Sequence, residues 1–186
     1  MTIKRHFPKI VTVDELQLIK ITNNNRNIIL IELLSVYQNN FDHLRYWHHG
    51  WKELNFKNVN EIKKYIRKSR LVVYVICKNK KIIGYLEINR MRKDDENTKY
   101  RDLSYWIDKN HTRKGIMYKC LLFMEKIFLE QGINILQTQI DMKNEPSINL
   151  MKKLGFRHFS ASLMISKDSN TMLQTYSFMK RIKLNI

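Results

Sequence analysis

No apolar run in this chain reaches the roughly 18 residues that a membrane-spanning helix needs, so no helical span is expected. The N-terminus lacks the charged, apolar and small-residue succession of a signal peptide. There are only two cysteines. Cys77 falls in a strand-like run and Cys120 on an apolar helix face, so both read as core thiols, and two are too few for a disulfide framework. No His, Cys, Asp or Glu spacing suits a metal, and the adjacent His48 and His49 point apart with no third ligand, so no metal is expected. These absences fit a reducing, cytoplasmic setting. No internal repeat, low-complexity linker or block of like charge divides the 186 residues. A single domain over 1–186 is expected, with residues 1–9 a loose arm.

Acidic residues are also scarce: Asp and Glu number 17 against 34 Lys and Arg, a formal charge of +17. The surplus is dispersed, and two explanations stand. It is a solvated surface of a chain rich in Lys, Asn and Ile, or it meets a polyanion such as cofactor phosphates, a nucleotide, RNA or a ribosomal substrate. A content of 44% hydrophobic and 11% aromatic residues argues for a packed core despite the charge.

The periodicities predict strands at 16–22, 71–78, 81–91, 99–107, 133–140, 159–165 and 171–182, and helices at 28–37, 61–68, 116–131 and 144–154. Residues 41–51, dense in aromatics, are expected as a loop, and 92–98 as a charged loop. The sum is an α/β (α+β) fold, a mixed central sheet of about seven strands flanked by about four helices.

The stretch 103–156 carries the chemistry. Its first strand feeds through a basic turn into a helix whose apolar residues Ile116, Met117, Cys120, Leu121, Met124, Ile127 and Phe128 recur at helical spacing. Free backbone N–H groups and the positive end of the helix dipole meet at that turn, and Arg113 and Lys114 add two charges, which makes it a site for an anion, a phosphate above all. A second strand follows. Then comes a short helix with Asn144 as N-cap, Pro146 in its first turn and Gly155 past its end.

At these residues the chain resembles the GNAT superfamily of acetyl-coenzyme A dependent N-acetyltransferases, in its RimJ/RimL-like branch. Thr112-Arg113-Lys114-Gly115-Ile116-Met117 is similar to the family's pyrophosphate turn, with Thr112 and Arg113 standing where Gln or Arg and Gly are usual. Residues 84–90 resemble its third strand, Tyr105-Trp106-Ile107-Asp108 its Tyr-Trp-Leu-Asp strand end, and Asn144 and Ser147 ahead of Leu154-Gly155-Phe156 its closing motif. The resemblance covers roughly residues 10–182.

It implies a direct transfer in which an amine attacks the thioester carbonyl of acetyl-CoA. Backbone groups near Trp106 and Ile107 would hold the pantetheine and the carbonyl oxygen. Arg113, Lys114, Gly115, Ile116 and Met117 would bind the pyrophosphate, Asn144 the pantetheine arm, and Ser147 would protonate the leaving thiolate. Leu44, Trp47 and Trp51 resemble the branch's acceptor-closing segment, so Tyr46, Trp47, Trp51 and Tyr105 are candidate substrate contacts, and the alternative for the tryptophans is a cap on the core. Aromatic walls stack a peptide or a base for roughly 1–3 kcal/mol.

No strong base is evident. Glu87 is the first candidate, acting through water, and Asp102 the second. An α-amine, with a pKa of about 7.7–8.0, needs less help than a lysine near 10.4, so the expected acceptor is a primary α-amine, as on the N-terminus of a ribosomal protein. Two alternatives remain at this level: an immunity or resistance acetyltransferase that caps the α-amine of an aminoacyl nucleotide or peptide-nucleotide antibiotic, and a non-catalytic GNAT-fold module that binds RNA or protein.

Overall fold

The computed structural model describes residues 7–47, 56–69, 71–89, 92–93, 99–165 and 172–183. Its strands are β1 (Ile10–Val13), β2 (Leu16–Lys20), β3 (Val72–Lys78), β4 (Lys81–Ile88), β5 (Arg92–Lys93), β6 (Lys99–Ile107), β7 (Ile135–Asp141), β8 (Arg157–Ile165) and β9 (Met172–Arg181). Its helices are α1 (Arg26–Asn39), α2 (Phe41–Trp47), α3 (Val59–Ser69), α4 (Ile116–Glu130) and α5 (Glu145–Lys153).

One mixed sheet runs β1-β2-β3-β4-β6-β7-β9-β8, with the short β5 paired to β6. Every neighbour is antiparallel except β6 and β7. The nine described strands exceed the expected seven because β1 precedes the first predicted strand and β5 forms inside the segment read as a charged loop. A further difference is α2. Residues 41–47 were expected as a loop from their aromatic density, but aromatic residues are only weak helix breakers and packing overrides them. Leu44 N–H donates to Asn40 O at 2.8 Å, and the rings of Tyr37 and Phe41 meet edge to face at 6.0 Å.

Helices cover both faces of the sheet, so its central strands are buried on both sides and read as near-continuous apolar runs. Val73, Val75, Cys77, Tyr85 and Trp106 pack under α1, α2 and α3 through Leu30, Leu33, Tyr37, Leu44 and Ile62. Tyr74, Ile76, Leu86, Ile88 and Leu103 pack under α4 and α5. The α4 residues buried there are the seven that helical spacing selects.

Two irregularities shape the middle of the sheet. Between Ile76 and Cys77 the register of β3 against β4 shifts, leaving Ile83 as the extra residue. The bulge reverses the in-out phase of β4, so Tyr85 and Glu87 face the α1–α3 side. Beside it, Gly84 lies against β6 so closely that a Cβ there would sit 2.8 Å from Trp106 O and 2.6 Å from Ile107 Cδ1. The second irregularity is that β6 and β7 pair only at Arg101 with Leu136 and Asp102 with Gln137. Thr138 Oγ1 donates to Leu103 O at 3.1 Å, and beyond it the strands part.

Gly84→Ala is expected to destabilise the fold by about 1–3 kcal/mol through overpacking, a Tm loss of roughly 2–4 °C per kcal/mol in a chain of this size. Thermal unfolding checks this, and an unchanged Tm contradicts the close approach of β4 and β6.

Candidate active site

The cleft opens where β6 leaves β7. The last residues of β6 still pair with β4 on one edge, Gly84 opposite Ile107 and Tyr85 opposite Trp106. Their other edge has no β7 partner, so backbone donors and acceptors are offered to whatever fills the gap. At the strand end Asp108 N–H donates to Ile83 O at 2.8 Å, tying the turn to the bulge. Asp108 Oδ1 then accepts from Asn110 N–H at 2.8 Å, which closes a single 3-10 turn over Lys109–His111.

The next residues form the anion turn. Arg113 has φ 59 and Gly115 φ 71; alternation of hand along such a turn points successive N–H groups to one side. Gly115 is the N-cap of α4, which has no side-chain cap bond and no acidic residue in its first turn. An uncapped N-terminus leaves orphan N–H donors and the positive end of the dipole facing the cleft. Nothing lies within 4 Å of a Cβ built on Gly115, so its φ, rather than crowding, calls for glycine. Lys114 Nζ reaches back to Asn110 O at 2.7 Å.

These parts enclose a cavity of about 950 Å³. Tyr105, Trp106 and Ile107 form one wall, His111 to Met117 and Tyr118 the floor, and Asn144, Ser147, Asn149, Leu150 and Lys153 the other wall, with His43 and Leu44 of α2 at one end. The structure therefore gathers all the expected cofactor residues: Trp106, Ile107, Arg113, Lys114, Gly115, Ile116, Met117 and Asn144. Asn144 caps α5 by accepting from Ser147 N–H at 3.2 Å, a bond worth about 1 kcal/mol. Its carboxamide oxygen is thus engaged in the cap, and its NH2 group is the donor that the cap does not use. Ser147 shares the cavity with Tyr105, whose phenol burial pushes up to about 12 while the neighbouring Ser147 hydroxyl pulls the other way.

The expected bases lie elsewhere. Glu87 is buried at 2% exposure and is not part of the described lining. Tyr85 OH donates to it at 2.7 Å and Tyr65 OH at 3.1 Å. Burial raises its carboxyl above the usual range, and the two phenols offset part of that rise. Asp102 sits where β6 and β7 still pair, ion-paired with Arg92 at 3.3 Å and outside the lining. Of the expected acceptor contacts, Tyr105 lines the cavity. Tyr46 and Trp47 belong to α2, but their side chains, like Trp51 and the pair His48 and His49, lie outside the described residues.

The sequence reading missed several lining residues. His43 falls in the aromatic-dense stretch 41–51, where no spacing sets it apart. His111 sits in a polar turn where nothing local marks it, and Tyr118 and Lys153, whose Nζ lies 4.5 Å from the Tyr118 ring centroid, come from different helices with no shared motif. No metal-ligating cluster occurs among the described residues. The donor set is that of a phosphate and amide ligand: uncapped N–H groups, Arg113, Lys114 and Lys153, with Glu145 the one carboxylate among the described lining residues.

The raised Glu87 carboxyl gives a pH prediction. A carboxyl raised in the fold contributes stability that is present below its unfolded pKa of about 4.3 and is lost as pH rises through the folded value. Glu87→Gln, which keeps the shape, is expected to gain stability relative to the unsubstituted chain as pH rises from about 4 to about 8. Urea unfolding across that range checks it, and parallel curves contradict it.

Known proteins share this fold. No curated protein matches the sequence. Among solved structures, the acetyltransferase of Salmonella typhimurium that modifies the N-terminal serine of ribosomal protein L7/L12 has TM-score 0.73 at 16% identity, covering 94% of this chain and 99% of that one. The acetyltransferase yncA of Salmonella typhimurium with its cofactor acetyl-CoA has TM-score 0.69 at 16% identity, covering 92% and 96%. The ribosomal-protein-S5-alanine acetyltransferase of Vibrio fischeri has TM-score 0.67 at 17% identity, again covering 92% and 96%. At these identities the likeness shows the fold. The family itself is shown by the sequence: residues 32–156 match the Acetyltransferase (GNAT) family, so the chain belongs to that family and is an acetyltransferase that takes its acetyl group from acetyl-CoA.

Proposed function

We propose that the chain acetylates a primary α-amino group at a protein N-terminus, of the kind a ribosomal protein presents. The observation that carries this is the make-up of the cavity. Among the described lining residues the single carboxylate is Glu145, in the first turn of α5, while Glu87, the first base candidate, is sealed under Tyr65 and Tyr85 and stays out of that lining. Such a site serves an amine that is already partly neutral at pH 7, as an α-amine is, far better than a lysine.

Acetyl-CoA supplies the activated thioester. The turn from Arg113 to Met117 and the N-terminus of α4 hold its pyrophosphate, and the open edge of β6 at Trp106 and Ile107 holds its amide arm. The entering amine's nitrogen forms a bond to the thioester carbonyl carbon, and the carbonyl oxygen takes up negative charge, which preorganised N–H donors stabilise. As the C–S bond breaks, Ser147 Oγ passes a proton to the sulfur and takes one in turn from water, so that the hydroxyl is restored. Tyr105 beside it offers that hydroxyl a buried phenol as a hydrogen-bond partner. At the α2 end the imidazole of His43 is the side chain suited to taking the amine's proton.

A second reading is favoured by the charge of +17 together with His43, His111 and Lys153 around the cavity, which exceed what one pyrophosphate needs. In it, the α-amine belongs to an aminoacyl nucleotide. Acetyl transfer followed by mass spectrometry, offering a ribosomal-type N-terminal peptide and a non-hydrolysable aminoacyl-adenylate mimic, separates the two. The proposal expects the peptide to gain an acetyl group on its α-amine, and modification of the mimic alone contradicts it.

Ser147→Ala is expected to lower kcat by about 10²–10⁴-fold with coenzyme A affinity held; an unchanged kcat removes the acid role. Gly115→Glu is expected to abolish coenzyme A binding in calorimetry. By comparison, Gly115→Ala, which adds only left-handed strain of about 1–2 kcal/mol and a Cβ with nothing within 4 Å, is expected to cost about that much stability and to keep coenzyme A binding. Wild-type affinity in the Glu variant contradicts the cradle.

A further inference from the structure

Among the described residues few polar side chains are buried, and the most deeply buried of these, Asn40 at 1% exposure, is not part of the described cavity lining. Asn40 stands at the elbow between α1 and α2. Its backbone does local work: its N–H lies against Val36 O and Tyr37 O, and its carbonyl accepts from Leu44 N–H. The side chain reaches across the molecule instead. Nδ2 donates to Asp108 Oδ2 at 2.9 Å and to Val36 O at 2.8 Å, and Oδ1 accepts from Lys109 N–H at 2.8 Å.

Asp108 and Lys109 are where β6 ends and the anion turn begins. Asp108 Oδ1 caps the turn through Asn110 N–H, and Asp108 N–H is fixed to Ile83 O at the bulge. One buried carboxamide thus joins two segments 68 residues apart in sequence. On one side is the turn that carries Arg113, Lys114 and Gly115. On the other is α2, which puts His43 and Leu44 into the end of the cavity and leads towards the aromatic segment 46–51. A helix cap alone would need only bonds to its own helix. The two bonds to Asp108 and Lys109 are extra, and leaving Lys109 N–H and the buried amide unmatched would cost more than the bonds contribute.

We propose that Asn40 is a positioning residue that couples the anion turn to α2, so that coenzyme A seated in the turn orders the acceptor end of the cavity. The inference rests on the cofactor reading of the turn and the acceptor reading of α2, and not on which amine is acetylated. The first product of cofactor binding is then a firmer wall for the second substrate.

The test is amide hydrogen exchange read by mass spectrometry on the full chain, with and without saturating coenzyme A. In the unsubstituted protein, coenzyme A is expected to slow exchange in 109–117 and also in 41–47, the latter by about 5- to 150-fold, the span of ordinary site-to-site coupling. In Asn40→Ala at saturating coenzyme A, protection of 109–117 remains and protection of 41–47 is lost. Equal protection of 41–47 in both proteins overturns the proposal, and so does a protected turn with an unresponsive α2 in the unsubstituted chain. Asn40→Ala empties a buried site and can impair folding, so Asp108→Asn is measured beside it. That change on a half-buried residue leaves one oxygen where Asn110 N–H and Asn40 Nδ2 use two. It is expected to keep the Tm and reduce the response of α2, and a full response counts against the coupling. Failure of the cofactor reading looks different: coenzyme A then protects neither segment in the unsubstituted chain, and the coupling falls with it.

Discussion

A parallel pair of strands that stays together for two residues and then separates governs the rest of this structure. Strand edges carry a hydrogen-bonding group at every residue, and leaving such groups buried and unpaired is costly. Where β6 and β7 part, the exposed edge of β6 at residues 104–107 is tolerable only if a ligand or water takes the place of the missing strand. The split is held open from both sides. β4 grips the other edge of β6 through the close approach at Gly84, and β9 pairs along the whole of β7. Neither strand can swing to close the gap without breaking a long, well-packed ladder.

The remaining parts of the site follow from where the split points. At its mouth, β6 must turn into α4, and the left-handed residues Arg113 and Gly115 make that turn concave to its own N–H groups. The start of α5 arrives on the opposite wall because β7 leads directly into it, bringing Asn144 and Ser147. In the proposed function, a phosphate at the turn, an amide arm along the open edge and a thioester beside Ser147 would belong to one extended ligand. The bulge at Ile83 settles a separate matter. By reversing the phase of β4 it turns Glu87 to the α3 side, where two tyrosines hold it, and so takes the obvious carboxylate out of the described cavity wall.

Much of this was legible in the sequence, and unevenly so. The α4 stripe, the Asn144 cap and the anion turn were readable because each is local: helical spacing, a capping residue and a basic turn with one glycine need no tertiary knowledge. The family motifs added Trp106, Ile107 and Ser147. What was not legible depends on pairing and phase. A bulge at Ile83, opposite the step from Ile76 to Cys77, leaves no sequence mark, so the burial of Glu87 was hidden. Lys153 over Tyr118 and Asn40 against Asp108 are contacts between distant segments, and Asn40 falls between the helix expected at 28–37 and the loop expected at 41–51, where no local pattern singles it out. The helix at 41–47 was missed because aromatic density suggests a loop, whereas packing of Tyr37, Phe41 and Leu44 makes it helical.

The most direct measurement is the amide NMR spectrum of the labelled protein titrated with acetyl-CoA. The account predicts that the largest shifts fall on the amides of Trp106, Ile107, Arg113 to Met117 and the first turn of α5. Shifts scattered over the basic surface, with those amides unmoved, would contradict the claim that the split strand and its turn are the cofactor site.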